Sequence, residues 1–136
     1  MADIRKVTDD FSVAPQLSTA DIAVVAGQGF VKMINNRPDG EAPDQPSNAE
    51  MERLARAAGL DYVQIPFAGR PSPEQADAVR AAAEAADGPV LAFCRSGTRS
   101  ITAWSIGQAR AGLRSREELV ELGAAAGYDL SGSLGG

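Results

Sequence analysis

Four apolar stretches recur along the chain, each separated from the next by enough polar-faced sequence to hold a helix. Phe11-Ser12-Val13-Ala14 reads as a short strand and Phe30-Val31-Lys32-Met33-Ile34 as a longer one. Tyr62-Val63-Gln64-Ile65 alternates, and Val90-Leu91-Ala92-Phe93 is apolar throughout, the pattern of a strand covered on both faces. The intervening segments carry helix start signals: Ser18-x-x-Asp21, Ser47-x-x-Glu50, Ser72-x-x-Gln75 and Ser115-x-x-Glu118 each place a hydroxyl three residues ahead of an acid or amide. Pro73 suits a first helical position, where its missing N–H costs nothing. Gly27, Gly59, Gly88 and Gly112 follow the helical runs as stop signals.

Strand then helix, repeated, with two helices at the C-terminal end, predicts an α/β fold: a mostly parallel central sheet flanked by helices. The 136 residues suit one domain, read here as residues 1–130 with a flexible Gly/Ser tail at 131–136. One long irregular stretch, residues 35–47, contains Pro38, Pro43 and Pro46. Loops of that length inside a small domain are often functional.

The densest chemistry is Cys94-Arg95-Ser96-Gly97-Thr98-Arg99-Ser100, between the apolar fourth strand and the helix that carries Ile101, Trp104 and Ile106. Ligands of open α/β sheets bind beyond the carboxyl ends of the strands. A strand–loop–helix turn at that edge aims backbone N–H groups at one point, with a helix N-terminus behind them, and so forms an anion cradle. Gly97 permits the tight backbone, and Arg99 offers a planar fork to an oxyanion. Arg95, Arg99 and the helix dipole all favour thiolate over thiol at Cys94, and Ser100 is placed to donate to the sulfur. An isolated cysteine at a strand end is ordinarily a small buried apolar residue. Two arginines, a glycine and a serine within six residues favour a nucleophile instead.

Composition narrows the chemistry. There is no histidine, which removes Ser-His-Asp triads, Cys-His dyads and His-ligated metals. A low-pKa thiolate needs no histidine base, so this loss is compatible with nucleophilic catalysis. Cys94 is the only cysteine, so an internal disulfide and a Cys-rich zinc site are both excluded, and any thiol exchange takes an external partner. Neither a metal nor an organic cofactor is expected. A net charge of −5 without a basic run argues against nucleic acid or an anionic membrane as partner. Met1-Ala2-Asp3-Ile4-Arg5-Lys6 lacks a signal-peptide pattern, and no apolar run approaches the ~20 residues of a membrane span, so a reducing cytoplasm is expected.

The cysteine loop resembles the active loop of rhodanese-type sulfurtransferases, C-R-x-G-x-R-[ST]. Ile34-Asn35-Asn36-Arg37-Pro38-Asp39-Gly40-Glu41, together with the segments 11–16 and 62–67, is similar to the DUF442 family, the phosphatase-like domain of β-lactamase hydrolase-like proteins. The similarity runs from Val7 to Tyr128. It implies a dual-specificity-phosphatase-like fold, and it suggests a persulfide-handling metallo-hydrolase as partner, since the family is sometimes fused to such enzymes.

Two departures from the phosphatase pattern favour sulfur chemistry. Four residues separate Cys94 from Arg99, where protein tyrosine phosphatases have five. The segment Ile65-Pro66-Phe67-Ala68-Gly69-Arg70 lacks the aspartate that protonates a leaving alkoxide. Sulfane-sulfur transfer needs no such acid. Asp39 and Glu41, just beyond the second strand, keep phosphoryl chemistry open, either as a substitute acid or by orienting Arg99. Pro-Asp-Gly is equally a common turn sequence. Arg37 either adds positive charge to the pocket or, slightly more readily, is a surface arginine; Arg70 reads as a solvated charge ahead of a helix cap, and Trp104 as core.

The expected catalytic residues are Cys94, Arg99 and Asp39, with Arg95, Ser96, Gly97, Thr98, Arg99 and Ser100 as the anion-binding set. The leading expectation is a sulfurtransferase working through a Cys94 persulfide, with a small-molecule sulfur donor and acceptor. The alternatives are a phosphatase acting on phosphate esters through a Cys94 phosphoenzyme, and a non-catalytic anion- or partner-binding module.

Overall fold

The computed structural model describes residues 2–134. Five strands, β1 (Arg5–Thr8), β2 (Phe11–Ala14), β3 (Lys32–Asn35), β4 (Asp61–Gln64) and β5 (Val90–Phe93), form one sheet in the order β1-β2-β5-β3-β4. β2, β5, β3 and β4 run parallel, and β1 closes one edge antiparallel to β2. Helices α1 (Asp21–Gly27), α2 (Asn48–Ala57), α3 (Pro73–Glu84), α4 (Thr98–Arg110) and α5 (Arg116–Ala125) cover its faces.

The alternation along β5 explains the layering. Side chains of a strand point to opposite faces in turn. Val90 and Ala92 join Val13, Ile34, Val79, Ile101, Trp104 and Leu119 on the side of α3, α4 and α5. Leu91 and Phe93 join Leu17, Ile22, Met33 and Met51 on the side of α1 and α2. All four β5 residues are fully buried, which is why this strand reads as continuously apolar. Trp104 is core, stacked on Phe11 with ring centroids 4.9 Å apart.

The start signals act as caps. Ser47 and Ser115 accept the N–H groups of Glu50 and Glu118, and Ser72 with Gln75 completes a reciprocal capping box ahead of Pro73. Ser18 and Asp21 exchange the same pair of bonds, although regular helix begins only at Asp21. β1 has no strand pattern in the sequence. Only Val7 of its four residues is buried, so an edge strand carrying Arg5 and Lys6 leaves almost no apolar signal. Ser131, Gly132, Ser133 and Leu134 of the anticipated tail form a turn. The Ser133 N–H donates to the Leu130 carbonyl at 3.0 Å, and Leu134 packs on the core. Gly135 and Gly136 lie outside the described residues. Among the described residues no helix is long and apolar enough to cross a membrane.

Candidate active site

β5 lies between β2 and β3, the two strands joined through α1, so Cys94 leaves the sheet at its topological switch point. The flanking strands hold the loop by continuing the ladder beyond their ends. Cys94 N–H donates to Ala14 O, Asn36 N–H to Phe93 O and Gln16 N–H to Arg95 O, at 3.4, 2.9 and 3.2 Å. Cys94 is fully buried. Its Sγ accepts the Gly97 N–H at 3.1 Å.

Gly97 caps α4 with φ of +91°, a conformation that glycine adopts without strain. A Cβ at this position would also overlap the Tyr128 hydroxyl. The first N–H groups of a helix have no acceptor within it. Here the Gly97 N–H faces the sulfur and the Thr98 N–H meets Ser96 Oγ at 3.4 Å, which leaves those of Arg99 and Ser100 at the helix start for an anion.

Arg99 is held from two sides. Its Nη1 donates to Glu41 Oε2 at 2.8 Å and to the Phe67 carbonyl at 3.0 Å, and its Nη2 donates to Glu41 Oε1 at 2.8 Å. These bonds occupy the far end of the guanidinium. They leave the Nε edge and one Nη2 proton for a ligand in the cradle. Hydrogen bonding to Glu41 raises Arg99 above its ordinary pKa, and the neighbouring Cys94 sulfur adds to the effect.

Glu41 in turn accepts Arg37 Nε at 2.8 Å. Between two guanidinium groups its carboxyl falls to about 2, the Arg99 hydrogen bond being the larger cause. Arg37 is only 4% exposed and also donates to Gln16 Oε1 at 3.0 Å, so it is an interior strut of the site and not a surface charge. Hydrogen bonds from the Arg37 N–H to Asn35 Oδ1 and from Gln64 to the Arg37 carbonyl pin residues 35–37 to the sheet edge.

The other expected residues divide. Asp39 turns to α2, where Oδ1 accepts the Asn48 N–H at 2.7 Å, so the partner of Arg99 is Glu41. The Ser100 hydroxyl donates to Asn36 Oδ1 at 2.7 Å and not to the sulfur, because its single proton is committed there. Asn36 is fully buried and donates to the Ile65 carbonyl at 3.0 Å, tying the segments after β3 and β4 to the first turn of α4. The Arg95 side chain is exposed, as is Ser96, whose hydroxyl donates to Thr98 Oγ1. Arg70 is exposed. Asn36 and Gln16 lie outside the site residues that the sequence predicts, and Arg37 is among them only as the less ready of two readings. Asn36 and Arg37 do lie within the Asn-Asn-Arg run that ends β3. A cavity of about 410 Å³ between Asp10, Phe11, Trp104 and Arg114 shares no residue with the cysteine loop.

A buried cysteine at the end of a central parallel strand, a helix-capped loop and an arginine interacting with the sulfur define a cysteine-phosphatase-like domain. Comparison with known proteins agrees. Residues 3–111 match the family described as "Beta-lactamase hydrolase-like protein, phosphatase-like domain", and the chain belongs to that family. It is 39% identical over 127 residues to the β-lactamase hydrolase-like protein of Agrobacterium fabrum, covering 92% of this chain and 29% of that one. The corresponding Xylella fastidiosa protein is 36% identical, over 93% of this chain and 30% of its own length. The chain thus spans about three-tenths of the curated relatives it matches.

Among solved structures, a candidate phosphatase from Neisseria meningitidis superposes with a TM-score of 0.84 at 30% identity, covering 95% of this chain and 92% of that one. Pseudomonas aeruginosa TpbA, a cysteine-to-serine form of which was crystallised with phosphotyrosine, superposes with a TM-score of 0.67 at 12% identity over 98% of this chain and 75% of its own, a likeness of fold.

Proposed function

We propose that the domain is a cysteine-dependent phosphatase for phosphate monoesters with good leaving groups. The Cys94 thiolate attacks phosphorus, the P–S bond forms and the ester P–O bond breaks. Water then attacks the phosphocysteine, the P–S bond breaks, and inorganic phosphate leaves with the thiolate regenerated. The observation that carries the reading is the clamp on Arg99. With Glu41 and Phe67 holding one end, the Nε edge is fixed as a fork beside the sulfur before any substrate arrives. Family membership and the Neisseria structure support the same chemistry.

The leaving-group restriction follows from the acids. Glu41 stays ionised down to a pH of about 2 and cannot protonate an alkoxide, and Asp39 is engaged at α2. Aryl phosphates, whose phenolate departs with little help, suit such a site better than alkyl phosphates.

Sulfur transfer is a second reading, favoured by the four-residue spacing between Cys94 and Arg99 and by the acid-free 65–70 segment. In that reaction the S–S bond of thiosulfate breaks, sulfite leaves, and cyanide takes the sulfane sulfur from the Cys94 persulfide. Turnover of p-nitrophenyl phosphate and of thiosulfate with cyanide, for wild type and Cys94→Ser, separates the two. The expected result is phosphate release by the wild type that the serine variant lacks, because a serine hydroxyl with no adjacent base stays protonated. Thiocyanate formation without phosphate release would overturn the phosphatase reading.

A further inference from the structure

The chain leaves α5 through Gly127 at φ of +95°, and the Tyr128 N–H closes the turn onto the Gly123 carbonyl at 2.8 Å. This turn carries the Tyr128 ring beneath the cysteine loop, 32 residues away in sequence. There the Tyr128 hydroxyl donates to the Ser96 carbonyl at 2.9 Å. The Arg5 guanidinium lies over the ring, 5.2 Å from its centroid, and Arg5 Nη1 reaches the Ala126 carbonyl at 3.3 Å. The ring is therefore held by chain segments outside the loop, Arg5 and the turn after α5.

The Ser96 carbonyl and the Gly97 N–H belong to one planar peptide unit and point in opposite directions. Whatever holds that carbonyl also sets where that N–H points, and here it points at Cys94 Sγ, 3.1 Å away. The lock matters because Gly97 is the residue at which such a peptide turns most freely. We propose that Tyr128 is a positioning residue: its hydroxyl holds the Ser96–Gly97 peptide with the N–H aimed at the sulfur, keeping the cradle in its anion-binding form. Burial raises Tyr128 above its ordinary pKa, so the phenol keeps the proton it donates. The inference deepens the proposed function, since it rests on residues 94–100 being an anion site.

Tyr128→Phe removes the hydroxyl and keeps the ring, its packing and the Arg5 contact. Two readouts separate the lock from the anion site. The first is amide hydrogen exchange at Gly97, measured without any ligand. Loss of one neutral hydrogen bond shifts the inward–outward balance by about 2- to 10-fold, so Gly97 exchange is expected to quicken by that factor and to stay insensitive to low urea, whereas exchange at Leu91 and Ala92, which needs the sheet to unfold, rises with urea. The second is protection of Cys94 from iodoacetamide by inorganic phosphate, whose apparent affinity is expected to fall in proportion to the inward fraction lost, by at most that factor. Unchanged exchange at Gly97, or exchange there that rises with urea as steeply as at Leu91 and Ala92, overturns the lock. Urea-independent quickening at Gly97, in a protein whose wild type phosphate does not protect, upholds the lock and removes the anion-site reading.

Discussion

Replacing Glu41 by glutamine tests the clamp that organises the arginines. The carboxylate lies 2.8 Å from Arg37 Nε and from both terminal nitrogens of Arg99, with 26% of its side chain exposed. Its pKa falls from 4.5 to about 2 in the fold. At 1.36 kcal/mol per unit that shift has a ceiling of about 3 kcal/mol, and solvent reaching the carboxylate screens the pair, bringing the expected loss to about 1–2 kcal/mol. For a domain of this size the loss corresponds to a Tm lower by about 3–8 °C at neutral pH.

The sign of the pH dependence is fixed. A carboxylate whose pKa is depressed on folding stabilises above its unfolded pKa and loses that contribution as pH falls through the folded value. The gap between wild type and Glu41→Gln is therefore expected to be full above pH 5 and to close between pH 4.5 and about 2. Thermal or urea unfolding at a series of pH values reads it directly. A gap that stays constant across that window, or no gap at neutral pH, would refute the account of Glu41 as an ionised bridge between two arginines.

Two further substitutions bear on the site. Arg99→Lys is expected to lower kcat/KM for an aryl phosphate by about 100-fold or more, because an ammonium cannot be held at one end and present a planar fork at the other; activity within threefold of wild type would contradict the clamp geometry. Asp39→Asn is expected to keep its turnover and lose at most about 1 kcal/mol, since the carboxylate serves the N-terminus of α2; a kcat loss with unchanged stability would instead make Asp39 an acid in the reaction.

The parts of the molecule legible in the sequence are those whose cause is local. The β5 strand announces itself because both its faces are covered, and three helix starts because a serine hydroxyl meets an N–H three residues on. The cysteine loop is legible for the same reason: Cys94, Gly97 and Arg99 act within one turn of chain. The parts that are not legible depend on partners far apart in the chain. Arg37 reads as a surface charge until Gln16, 21 residues away, and the loop bearing Glu41 enclose it. Ser100 finds Asn36 across 64 residues. Tyr128 has no local signal, because its role exists only where the end of α5 passes beneath Ser96. Edge strand β1 was hidden by its own charges.

The ladder bonds that run past the ends of β2 and β3 onto Phe93, Cys94 and Arg95 have a thermodynamic consequence. Because they tie the segment that bears the nucleophile to the strands on both sides of it, this segment opens with the sheet and not ahead of it. Exchange of the Cys94 amide then reports the global unfolding free energy of the protein. A core substitution far away, such as one at Leu119 or Met51, would lower the number of competent molecules and leave the turnover of each survivor unchanged.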